Sequence, residues 1–101
     1  GGTDFTPIVE NVIKNNRPAI VITDGQGSMR CYSDKVFFIN INTGWWGSIY
    51  DGKKSFLAKT VSEGKYALWD KGDFYQAKLE PRATSYDKDV SYYDITPGKK
   101  L

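Results

Sequence analysis

The Thr3 hydroxyl and the Asp24 carboxylate are the two groups in this chain whose types and spacing suggest an assembled site. Thr3 stands in a glycine-led loop, Gly1-Gly2-Thr3-Asp4, ahead of a short helical pattern, and Asp24 closes the apolar stretch 18–23. In open α/β sheets the loops at the carboxyl ends of the strands gather into a crevice where ligands bind, and the unpaired N–H groups at a helix start open onto the same space. A hydroxyl and a carboxylate converging there offer two hard oxygen ligands, a set suited to Mg²⁺ or Mn²⁺ with several retained waters. The same residue types also serve purely local ends, since hydroxyls before helices and aspartates in turns hydrogen-bond their own backbone.

The elements that must position these two groups are readable. Thr6-Pro7 reads as an N-cap followed by proline at the first helical position, where the missing N–H costs nothing. Ile8, Val9, Val12 and Ile13 recur with helical spacing until Asn15-Asn16-Arg17-Pro18 stops the helix after about ten residues. Pro18-Ala19-Ile20-Val21-Ile22-Thr23 is a continuous rather than alternating run, the pattern of a strand buried on both faces, and Asp24-Gly25 ends it as a turn. A second such run spans 35–41.

From Gly44 onward the character changes to short strand patterns separated by turns: 48–50, a hairpin signal at Asp51-Gly52, 56–61, 65–69, a turn at Asp70-Lys71-Gly72-Asp73, 74–79 and 90–95. The adjacent Trp45 and Trp46 lie between glycines, where both cannot be buried on one face of a strand, so one of them is expected to serve as an exposed anchor for a partner. The expected fold class is therefore α+β: one N-terminal helix with buried strands over 1–43, followed by a small antiparallel β-sheet or barrel over 44–101, the two segments sharing one core.

Two stretches resemble known families. Gly1-Gly2-Thr3-Asp4-Phe5, a helix of this length and a strand ending in Thr23-Asp24-Gly25-Gln26-Gly27 resemble the C-terminal part of a von Willebrand factor A-like (VWA-like) domain over about 40 residues. In that family a metal site combines a DxSxS loop, a threonine and an aspartate. The resemblance implies that Thr3 and Asp24 are the last two, with Gly25 permitting the turn, while the chain itself carries no DxSxS stretch. A start on GGTD with half the family pattern absent is expected of a piece of a longer protein, and equally of leading glycines left by expression. The second stretch, Gly64 to Glu80 followed by Asp89 to Ile95, resembles a Tudor-like or other SH3-like barrel. That resemblance implies an aromatic cage of Trp69, Tyr75 and Tyr92 with Asp94 as its acidic partner, binding methylated lysine or arginine through cation–π attraction. Aromatic pairs are also ordinary cross-strand packing, which is the other reading of the same residues.

Composition narrows the function classes. The chain has no histidine, which removes Ser-His-Asp and Cys-His nucleophile systems. Asp70 and Asp73 flank Lys71-Gly72, where aspartate is favoured for turn reasons rather than as a catalytic pair. A net charge of +2, from 14 basic and 12 acidic residues spread along 101, builds no electrostatic footprint for nucleic acid. With the single Cys31 no internal disulfide can form, which suits a reducing compartment, and one neighbouring Arg30 does not make its thiol reactive. No apolar run approaches the roughly 18 residues of a membrane span. The sequence thus points to an intracellular, cytoplasmic protein, nuclear in the Tudor-like case, acting as a non-catalytic binding module toward a protein or peptide, with an enzyme the least favoured class.

Overall fold

The computed structural model describes residues 2–41, 47–51, 56–81 and 91–101 of the chain. Its elements in chain order are β1 (Thr3–Asp4), α1 (Thr6–Asn15), β2 (Ala19–Thr23), β3 (Gly27–Met29), β4 (Val36–Asn40), β5 (Ser48–Asp51), α2 (Phe56–Ser62), β6 (Tyr66–Asp70), β7 (Asp73–Pro81) and β8 (Ser91–Lys100). All eight strands join one sheet in the order β1-β3-β5-β8-β7-β6-β4-β2. The chain builds it by shuttling between two wings: β1, β3 and β5 pair in parallel on one side, β2, β4 and β6 in parallel on the other. The antiparallel pairs β5·β8, β7·β8 and β6·β7 weld the wings together.

This corrects the expected fold class. There is no helix-and-strands unit followed by a separate antiparallel sheet; the sheet is a single curled, mixed one, a half-barrel, and it carries a second helix. Residues 56–61, expected as a strand, form α2. Phe56, Leu57, Thr60 and Val61 satisfy helical spacing as well as a strand pattern, and Leu57 and Thr60 are the residues it buries. The stop signal is Gly64, at φ +72°: its N–H donates to the Val61 carbonyl while Lys65 N–H reaches back to Thr60, a Schellman ending. The start is held by Asp51 from β5, a fully buried carboxylate whose Oδ2 accepts the Leu57 N–H at 3.0 Å.

The helix α1 lies where the sequence puts it, with a different N-terminus. Phe5 occupies the N-cap position with helical φ and ψ and offers no side-chain cap, and Thr6 lies inside the helix. The capping acceptor is Asp4 Oδ1, 2.9 Å from Thr6 N, and the Thr6 hydroxyl is turned to accept Arg30 N–H at 3.1 Å. The displacement follows from Phe5, which is anchored in the core at 1% exposure and fixes where the helix begins.

The core cluster joins Phe5, Val9 and Val12 from the α1 end with Met29 and Ile49 of one wing, Val36, Phe38, Tyr66 and Leu68 of the other, Ile95 of the connecting β8, and Leu57 of α2. Phe38 is its hinge, edge-on to Phe5 at 5.3 Å and stacked on Tyr66 at 5.5 Å between ring centroids. Strand β2 departs from expectation in one respect. Only Ala19, Val21 and Thr23 turn inward; Ile20 and Ile22 are 69% and 65% exposed, because no layer covers that face among the described residues. Strand β8 runs on to Lys100 through Pro97-Gly98, beyond the strand expected over 90–95, with a register shift opposite Tyr75–Ala77. Among the described residues no helix is long and apolar enough to cross a membrane.

The Asp4 cap has a pH signature. The Thr6 backbone N–H, then its hydroxyl, with a smaller contribution from the Arg30 charge, hold the Asp4 carboxyl below its ordinary 3.8. A carboxyl depressed in the folded state adds stability above that ordinary value and loses it as the pH falls through the folded value. Asp4→Ala is expected to lower the melting temperature by a few degrees, roughly, at neutral pH, as the loss of one exposed cap does. The gap to the parent should close in acid, and a gap unchanged from pH 7 to pH 2 would remove the carboxylate from this role.

Candidate functional site

The two wings meet along a seam where β2 and β4 end and β1, β3 and β5 begin, and Asp24-Gly25-Gln26 is the crossing from one wing to the other. Thr3 and Asp24 are both brought to this crossing. Gln26 N–H donates to Asp24 Oδ1 at 3.0 Å, closing an Asx turn, and the Gln26 carbonyl accepts Thr3 N–H at 3.2 Å. The backbone of one residue, Gln26, thus bonds both to the Asp24 side chain and to the Thr3 backbone. Both residues are exposed, at the rim rather than inside the core.

The floor beneath the turn was not legible as a site. Thr23 Oγ1 accepts Gly25 N–H at 3.1 Å within the buried layer. Asn40, fully buried at the end of β4, points its amide at the Tyr66 hydroxyl at 3.5 Å. Gly25, at φ +83°, packs against Asn40 and against Gly47, whose own Cα lies so close that a Cβ on Gly25 would stand 2.9 Å from it. Burial pushes the Tyr66 phenol well above its ordinary 10.0; the Asn40 amide opposes the shift and the Asp24 charge adds to it. The Asp24 carboxylate therefore acts electrostatically on the floor below it. A polar residue closing the apolar run Val36-Phe37-Phe38-Ile39-Asn40 is the one sequence signal that marks this floor.

The donor set has the chemistry of a hard-cation site but not its full number. Thr3 and Asp24 supply a hydroxyl and a carboxylate. Among the described residues no three His, Cys, Asp or Glu side chains gather to hold a metal. Two oxygens suit Mg²⁺ or Mn²⁺ only as a half-site, with the remaining octahedral positions filled by water or by groups from outside these residues.

The aromatic-cage residues do not converge. Trp69 stands opposite Phe74 and Tyr75 opposite Leu68, so the alternation of the strands turns Trp69 and Tyr75 to opposite faces. Tyr75 packs on the core with Leu68. Asp94 is level with Glu80 on β7, while Trp69 is level with Phe74; six residues of strand place them roughly 20 Å apart. Tyr92 lies in β8 at the register position of Tyr50. Trp45 and Trp46 lie outside the described residues. Cys31 is half-buried; burial first, then the charges of Glu10 and Asp4, raise its thiol above the ordinary 9.0, the direction opposite to a reactive cysteine.

No family model, no curated protein and no solved structure matches this chain.

Proposed function

We propose that the chain is a non-catalytic binding module that engages a protein or peptide at the rim formed by Thr3 and Asp24, with Mg²⁺ or Mn²⁺ bound between the module and its partner. The observation that carries this reading is the shared turn: the Gln26 backbone bonds through its N–H to the Asp24 carboxylate and through its carbonyl to the Thr3 N–H, so both residues are referenced to one residue of the turn. The resemblance of Gly1 to Phe5 and Thr23 to Gly27 to the threonine and aspartate segments of VWA-like domains supports the same assignment. In this reading Asp24 supplies the charge, Thr3 a neutral oxygen, and the buried Thr23–Asn40–Gly25 floor keeps the turn from moving when a ligand pulls on it. A bound cation would contribute charge that a carboxylate-bearing partner could share.

The test is thermal unfolding with and without millimolar Mg²⁺ or Mn²⁺. At a hundredfold over Kd, binding to the native state adds roughly 2.7 kcal/mol. The midpoint should rise for the parent chain and stay put for Asp24→Asn, which keeps an acceptor for Gln26 N–H while removing the charge; Thr3→Val should retain a reduced rise. Equal rises in parent and Asp24→Asn would place any cation elsewhere and sink the assignment.

A further inference from the structure

We infer that β2 is a self-pairing edge, through which two copies of this chain associate antiparallel about a two-fold axis at Val21. The strand ends the sheet order, so among the described residues only its β4 side is paired. Ala19 N–H donates to Lys35 O and Thr23 O accepts Ile41 N–H, which fixes the parity of the ladder: residues 19, 21 and 23 bond to β4. The N–H and C=O groups of Ile20 and Ile22 therefore point away from the sheet. An apolar, uncharged edge of this kind, with neither a bulge nor an inward charge, is a template for another strand.

The sequence of that edge favours a second copy over an unrelated strand. Ala19-Ile20-Val21-Ile22-Thr23 is nearly palindromic about Val21 in both side-chain class and hydrogen-bond parity. In an antiparallel two-fold pair centred there, Ile20 stands opposite Ile22 of the partner subunit, and both pairs fall in the positions that exchange N–H and C=O bonds. The two Val21 residues meet at the non-bonded position between them, where side chains approach most closely. All four isoleucines then lie side by side on one face of the joined sheet, where each Ile20, 69% exposed, packs laterally against Ile22 of the partner subunit. Ile41, 45% exposed just beyond β4, extends the apolar surface on one side of the strand, and Ile8 with Ala19 lines a cleft on the other. The ends also match in charge: Arg17 precedes the strand, Asp24 follows it, and antiparallel pairing brings each to the other's partner. Five residues of strand bury less than the roughly 1,200 Å² of a tight interface, so the association belongs in the micromolar range.

The experiment is sedimentation of the whole 101-residue chain from roughly 1 µM to 1 mM, with two double variants. Ile20→Lys with Ile22→Lys sets like charges opposite each other across the axis and should raise the dissociation constant by more than about tenfold. Ile20→Lys with Ile22→Glu sets each lysine opposite the partner subunit's glutamate only in this antiparallel register, and should restore the dimer. Circular dichroism of all three monomers at low concentration checks that the fold is kept. A parent chain monomeric throughout overturns the proposal. Equal loss in both double variants overturns the register, and unchanged dimerisation in both overturns the edge.

Discussion

Phe38→Ala should lower the unfolding free energy by about 4 kcal/mol, read as a lower urea midpoint with an unchanged slope. The magnitude has two sources. Phe38 is 1% exposed, so truncation removes a fully buried aromatic side chain and leaves a cavity; such changes cost about 3–5 kcal/mol. The ring also makes an edge-on contact to Phe5 and a stacked one to Tyr66, each adding about 0.5–1.5 kcal/mol beyond area burial. These contacts lie within one cluster and are not additive, so the central value stays near the middle of the range. Phe38→Leu fills most of the volume without the ring and is expected to cost about 1.5 kcal/mol or less. Because Phe5 directly follows β1 of one wing while Phe38 and Tyr66 belong to the other, a cost below about 1 kcal/mol for the alanine variant would mean that the two wings are not joined through this ring.

The parts of this fold that were legible share a local cause. Helix α1 is written in Pro7 and the spacing of Val9 and Val12, β2 and β4 in their apolar runs, and the β6–β7 turn in Asp70-Lys71-Gly72-Asp73, where Lys71 and Gly72 both adopt positive φ as a tight hairpin requires. What failed depends on pairing far along the chain. Strands β1 and β3 have two and three residues with no apolar pattern, and they exist because Thr3 and Asp4 find Gly27 and Ser28 across the α1 connection. The parallel pairing of β4 with β6 and of β3 with β5 leaves no mark in either partner's sequence, so the two-winged sheet was read as two successive units. Helix α2 was missed because a seven-residue segment cannot show a full helical repeat, and its Gly64 stop signal reads equally as a hairpin glycine. Of the candidate site, Thr3 and Asp24 were visible as chemistry-bearing ends of elements. The Asn40–Tyr66 floor was not, since only tertiary packing shows that the end of β4 lies beneath the Asp24 turn.

Gly25 links that site to the core, and Gly25→Ala is expected to cost about 3 kcal/mol, against about 1 kcal/mol for Gly72→Ala. The pair isolates the contact from the backbone. Both glycines have positive φ, +83° and +91°, so both substitutions place an L side chain in a left-handed conformation costing about 1–2 kcal/mol. A Cβ at Gly72 meets nothing within 4 Å, whereas at Gly25 it stands 2.9 Å from Gly47 Cα and closer still to the buried Asn40 amide. Gly47 cannot yield, because its carbonyl accepts Ile95 N–H at 2.9 Å and so fixes the start of β5 against β8. A shift of Asn40 disturbs its buried hydrogen bond to Tyr66, which costs about 1 kcal/mol. The displacement would also disturb the placement of Asp24 relative to Thr3, since both bond to the Gln26 backbone. Gly25→Ala should therefore lose cation-induced stabilisation together with core stability, whereas Gly72→Ala should lose a little of the second and keep the first. Equal costs at the two glycines would show that the seam accommodates a side chain, and the frame proposed for Thr3 and Asp24 would then have no rigid support.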